Sequence, residues 1–171
     1  MNKPLLMIIL VLVGGIISAL ALSPYFTEST IDEALPTGAI IQPKMENKDT
    51  VMIKEETMME ETIPISYAGT FVGIGDGIHD TQGNTYTVPL ESGNNMLRLE
   101  NFKSTNGPDL YVYLSKDYKA SEFINLGKLK ANSGNQNYDI PNDVDLGEYN
   151  KVLIWCKTFG VLFGSAELSH Q

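Results

Sequence analysis

From Tyr67 onward the chain alternates short apolar and polar positions, and Gly or Asn interrupts the pattern about every ten residues. The runs predict strands at Gly69–Ile74, Asn84–Pro89, Asn95–Phe102, Asp109–Ser115, Asn125–Leu129, Tyr138–Ile140, Lys151–Lys157 and Val161–Leu168. No segment there keeps helical spacing over three turns. Many short strands at this spacing predict an all-β domain over 67–171, an antiparallel β-sandwich or jelly-roll-like fold.

Strand side chains alternate with period two, so each run also assigns its faces. In Leu110-Tyr111-Val112-Tyr113-Leu114 the aliphatics belong to the core and the tyrosines point the other way. Lys151–Lys157 is apolar on both faces, with Val152, Ile154 and Cys156 on one and Leu153 and Trp155 on the other. That pattern predicts a central strand covered on both sides. Asn106-Gly107-Pro108-Asp109 reads as a turn, with Gly for a positive φ and Pro to fix the exit.

The N-terminal residues 1–22 follow a different pattern. Leu5–Leu22 carries no charge and follows Lys3. As a helix it would be about 27 Å long, against a hydrocarbon core of about 30 Å. It reads as a signal anchor, or as a cleaved secretory signal whose Ala19-Leu20-Ala21 supplies the small-x-small site. A buried core helix would need a polar face that this run lacks. Charge before the run and acids after it place the C-terminal bulk outside. The expected location is the cell membrane, single-pass with the domain outside, or the exterior after cleavage.

Between these parts, residues 23–66 combine Pro24, Pro36, Pro43 and Pro64 with acids that outnumber Lys44, Lys48 and Lys54. This composition predicts a disordered acidic stalk. Met45, Met52, Met58 and Met59 sit among the carboxylates without a nearby His or Cys, so a disordered tract outweighs a soft-metal site.

Composition then removes whole function classes. The chain has 171 residues, with 12 Lys and Arg against 21 Asp and Glu and a net charge of −9. That is the wrong sign for neutralising phosphates, and no nucleic-acid partner is expected. One Cys and two His rule out an intramolecular disulfide and a four-ligand Cys/His zinc site, and no metal is expected. Gly73-Ile74-Gly75-Asp76-Gly77 imitates a phosphate loop, but no helix follows to present its N-terminus. His79 and Asp80 are neighbours on an extended chain and point apart, which favours a plain surface loop. His170 is the penultimate residue. No nucleophile, base and oxyanion-hole set is recognisable, so no self-contained catalytic site is expected.

Cys156 remains as the candidate for chemistry. Unpaired Cys usually packs as a small hydrophobe. Reactivity needs a nearby cation to favour the thiolate, and Lys157, though next in sequence, projects from the opposite face of a regular strand. A thiolate can also serve as an axial haem ligand.

The blocks Leu97-Arg98-Leu99-Glu100-Asn101-Phe102, Asn106-Gly107-Pro108-Asp109-Leu110-Tyr111-Val112-Tyr113-Leu114-Ser115, Leu126-Gly127-Lys128-Leu129-Lys130 and Gly134-Asn135-Gln136-Asn137-Tyr138 occur in that order. With the closing Val152-Leu153-Ile154-Trp155-Cys156-Lys157, Phe159-Gly160-Val161 and Phe163-Gly164-Ser165-Ala166, the chain resembles the electron transfer DM thirteen domain family over roughly residues 67–169. The resemblance implies a compact β-rich extracellular module with a role in electron transfer or in oxidative modification of surface proteins. It places the family's motif cysteine on Cys156, acting as a bare thiol or through a prosthetic group such as haem; no cofactor is otherwise called for. Trp155 and Lys157 would shape its surroundings, and a cell-surface or secreted protein partner would be needed. The alternative is a non-catalytic protein- or glycan-binding module. In it Cys156 is structural, and loops at His79-Asp80, Asn106-Gly107-Pro108 and Asn132–Asn137 make the contacts.

Overall fold

The computed structural model describes residues 7–9, 11–15, 28–40, 42–43, 61–62 and 67–171. Residues 7–9 and 11–15 are helical; the remainder of Leu5–Leu22 lies outside the described residues, as do Met45, Met52, Met58 and Met59. Among the described residues no helix is long and apolar enough to cross a membrane.

The strands in chain order begin with β1 (Thr30–Asp32), β2 (Gln42–Pro43), β3 (Glu61–Thr62), β4 (Tyr67–Thr70) and β5 (Val72–Gly73). They continue through β6 (Thr81–Pro89), β7 (Asn95–Ser104), β8 (Leu110–Ser115), β9 (Phe123–Lys128) and β10 (Ser133–Ile140). β11 (Lys151–Cys156), β12 (Val161–Glu167) and β13 (Ser169–His170) complete the set. One sheet has six strands in the order β1-β10-β7-β6-β4-β13, and a second has five in the order β5-β12-β11-β8-β9. Among the described residues β2 and β3 pair only with each other. The all-β expectation holds in these two sheets.

Both sheets feed one core. Leu97, Leu99, Phe102, Tyr138 and Ile140 enter it from β7 and β10, and Leu110, Val112, Leu114, Val152, Ile154 and Cys156 enter from β8 and β11. β11 is the middle strand of its sheet, and Val152, Leu153 and Ile154 are fully buried, so it is covered on both faces. Truncating such a side chain to Ala typically costs about 2–5 kcal/mol.

The run predicted as one strand, Gly69–Ile74, is two. Phe71 turns into the core and its N–H donates to Gly83 O, so Thr70 ends β4 in one sheet and Val72 starts β5 in the other. Gly107 differs from expectation too. It is absent from the positive-φ residues, and what its place demands is room: a Cβ there would sit 2.8 Å from Phe163 Cζ and 2.9 Å from Leu110 Cδ2.

The acidic tract departs furthest from the sequence reading. Residues 28–40, grouped by composition with the stalk, lie along the domain as an arm. β1 pairs in parallel with β10, Thr30 opposite Ser133 and Asp32 opposite Asn135. Farther on, Ile40 N–H donates to Pro89 O and Glu91 N–H donates to Gly38 O. The arm therefore starts beside Ser133 and Lys103, at one end of the sheet, and finishes at the β6–β7 turn at the other end. Tyr67, where β4 begins, is at this second end as well, its N–H donating to Thr87 Oγ1. Composition could not show this, because the arm is fixed by partners some fifty to a hundred residues away.

Candidate functional site

Cys156 ends β11 with its side chain in the core, 1% exposed. Leu110 of β8 stands opposite it on one side and Val161 of β12 on the other. The next residues, Lys157, Thr158, Phe159 and Gly160, are an exposed turn closed by Gly160 N–H donating to Cys156 O. The sulfur is thus sealed, yet one residue from solvent along the chain.

Trp155 points to the outer face of the sheet, opposite Tyr111 and Leu162, where the β11–β12 register slips by a bulge between Ile154 and Trp155. Lys157 lies on that face too, its Nζ 5.3 Å from the centre of the Tyr111 ring. Its charge is therefore spent on an aromatic ring across the sheet from the sulfur, as strand alternation foresees. On the same outer face Tyr113 is buried under Phe123, their rings stacked 4.2 Å apart. Burial pushes the Tyr113 hydroxyl pKa up, with smaller pushes from Tyr111 and Asp109.

His79 and Asp80 do not act together. Asp76 is the partner of His79: its Oδ1 accepts from the N–H groups of Ile78 and His79, and its Oδ2 lies 2.6 Å from His79 Nδ1. The His79 N–H, then the His79 ring, then the Ile78 N–H hold the Asp76 carboxyl down at about 2. The imidazole meets the ring of Phe163 edge-on at 4.3 Å, and Phe163 belongs to the same core cluster as Cys156. Asp80 pairs through its backbone with Thr105, accepting from Thr105 N–H and donating to Thr105 Oγ1. The sequence signal for Asp76 was available in the Asp-x-x-His spacing of a Gly-rich loop, which suits a carboxylate capping amides two and three residues on.

Of the other candidate loops, His79-Asp80 and Asn106-Gly107-Pro108 lie side by side, but Asn132–Asn137 is no free loop. Ser133 onward is strand β10, and Asn132, Gln136 and Asn137 are buried. Arg98, 5% exposed, donates from Nη1 to Asn137 Oδ1 at 2.9 Å and to the carbonyls of Glu33 and Ala34, and from Nε to Glu100 Oε1 at 3.3 Å. Lys130 Nζ holds both carboxylate oxygens of Glu33, at 2.8 and 2.9 Å. Burial pushes the Glu33 carboxyl up, but the Lys130 hydrogen bond, the Asn137 N–H and the charges of Lys130 and Arg98 bring it below the usual range. This polar network, buried at Arg98 and Asn137 and open to solvent at Lys130, clamps the arm; it escaped the sequence because each member alone resembles an ordinary surface residue.

A haem at Cys156 would need a broad slot beside the sulfur, and the packing leaves none: the side chain, 1% exposed, sits beside Leu110, Ile154 and Val161 in the core cluster. The residues present do not fit that group. Among the described residues, no three His, Cys, Asp or Glu side chains gather as a metal site.

No curated protein and no solved structure matches the chain. A family model described as Electron transfer DM13 matches residues 73–168, which takes in every strand from β6 to β12 and Cys156 with them. Over more than half its length, then, the chain carries that pattern, and it belongs to the Electron transfer DM13 family.

Proposed function

We propose that this chain is a membrane-anchored extracytoplasmic module in which Cys156 is a gated thiol that exchanges with disulfides on a partner protein. The observation that carries the reading is the position of Cys156 at the very end of β11, sealed in the core but followed at once by the exposed turn 157–160. Local openings at a strand end cost less than global unfolding. When the turn peels from the Leu110 and Val161 strands, the sulfur is uncovered while Val152 and Ile154 stay buried. The Cys156 thiolate then attacks one sulfur of the partner's disulfide. A new S–S bond forms, the old one breaks, and the partner's other sulfur leaves as thiolate. A second partner thiol, also as thiolate, resolves the mixed disulfide and returns Cys156 as thiolate. Trp155 and the Lys157–Tyr111 pair border the turn on the outer face, where a partner would dock.

The test uses the full chain with oxidised glutathione as the small disulfide. The expected result is one glutathione attached under native conditions, with one glutathione thiol released, and none in Cys156→Ser. A native chain that stays unmodified while the denatured chain reacts would overturn the reading. It would favour a binding module with a structural Cys156, for which the half-buried Tyr111 and Trp155 on the outer face already speak.

A further inference from the structure

Three loops meet at the end of the domain where the arm begins. The Ile74–Asp80 loop continues from β5, the Thr105–Asp109 loop joins β7 to β8, and the Lys157–Gly160 turn joins β11 to β12. They are tied into one surface. Asp80 bonds Thr105, His79 packs on Phe163, Lys157 N–H donates to Asp109 O, and Thr158 Oγ1 donates to Asp109 Oδ2 at 2.9 Å. Out of this surface stand Ile78 at 72% exposed, Phe159 at 69% and Ile74 at 42%. Large apolar side chains gathered at loop tips mark a contact surface more often than singly scattered ones do.

The course of the chain indicates what they contact. Glu28, the first residue described after the N-terminal helix, lines a shallow depression with Asp80, Thr105 and Asn106, and its Oε1 is 3.7 Å from Lys103 Nζ. The chain therefore reaches the domain at the very end that bears Ile78 and Phe159. Between Leu22, where the apolar run stops, and Glu28 stand only Ser23-Pro24-Tyr25-Phe26-Thr27. Fully extended, the six steps from Leu22 to Glu28 reach at most about 22 Å, and the aromatic pair suits a headgroup region. Clamped by Arg98 and Lys130, the arm cannot act as slack. The acidic tract lies beyond the arm, and its two flanks, Ile40 and Tyr67, are at the opposite end of the sheet. It does not lengthen the tether.

We infer that this loop end rests on the lipid surface, with Ile74, Ile78 and Phe159 entering the headgroup and upper acyl region of the bilayer. The inference rests on the anchor reading of Leu5–Leu22. Charge is mixed at both ends, with Lys103, Lys128 and Lys157 standing beside Glu28, Asp76, Asp80 and Asp109 here and Lys116 beside Glu122 and Glu148 at the other, so the apolar side chains carry the contact. Shallow insertion of exposed apolar side chains with nearby lysines is how peripheral surfaces hold to membranes. Seated this way, the 157–160 turn is at the membrane, and a partner of Cys156 would meet it there.

The full chain carrying Cys156→Ala, so that the nitroxide has a single thiol to attach to, is reconstituted in phosphatidylcholine–phosphatidylglycerol vesicles with the label on Thr158→Cys, and separately on Ser92→Cys in the β6–β7 turn. Collision with oxygen relative to a water-soluble nickel chelate reports depth. The expected ratio at Thr158 is several-fold above that at Ser92, and it falls to the Ser92 value when Ile78→Ser and Phe159→Ser are added. Equal ratios at the two sites would overturn the inference. An alkaline carbonate wash separates the two failures. Chain retained with equal ratios contradicts only the loop contact, whereas chain released by the wash contradicts the anchor, and the loop contact with it.

Discussion

Cys156 stands directly opposite Leu110 in the β8–β11 ladder, and both are closed into the core. A hydroxyl in place of the sulfur would therefore be buried among aliphatics without a partner. Cys156→Ser is expected to lose about 1–3 kcal/mol of stability, read as a lower midpoint in urea with an unchanged slope.

Leu110 also meets Phe163 over Gly107, where a Cβ would press on both. Gly107→Ala is expected to cost about 1–3 kcal/mol by overpacking. The same change should displace the His79 ring from Phe163, visible as altered imidazole shifts in NMR spectra.

Asp76 gives an acid-sensitive loop. Its folded pKa is depressed from 3.8 to about 2, so its contribution is complete above about pH 4 and is lost as pH falls through 2. The Ile78 and His79 amide resonances should titrate together in that window. In Asp76→Asn the transition should disappear.

The arm has two independent locks. Gly134 is at φ +101, and a Cβ there would fall on the Ile31 carbonyl, so Gly134→Ala should break β1 pairing. Arg98→Leu removes the donor to Glu33, Ala34 and Asn137 and leaves the buried Asn137 Oδ1 without it, at a cost of about 1–3 kcal/mol. Either change should raise hydrogen exchange over residues 30–34. Because the Glu33 carboxyl is lowered in the folded chain, arm docking is also expected to weaken as pH drops below about 4.5.

Most strands from β6 to β12 were legible from their apolar, β-branched and aromatic runs, but of β10 only Tyr138–Ile140 was foreseen, its polar first half reading as a loop. Lys151–Cys156 announced its central place by lacking a polar face, and the outward direction of Trp155 and Lys157 followed from period two alone. The arm was not legible. β1 is three residues long, and what holds it is a carbonyl-to-guanidinium contact with Arg98, sixty-five residues away for Glu33. The break at Phe71 escaped for a related reason, since a strand that changes sheets keeps its alternation. At the candidate site, sequence located Cys156 and its neighbours' faces, but the depth of the sulfur depends on Leu110 and Val161 arriving from other strands.

The most direct test of a gated thiol is the alkylation rate of Cys156 in the native full chain as a function of urea, against the rate of global unfolding. A local gate gives labelling that is faster than global unfolding allows and nearly independent of urea at low concentration, because opening the 157–160 turn exposes little surface. Labelling that follows global unfolding at every urea concentration would contradict it, and Cys156 would then be a packing residue of the core.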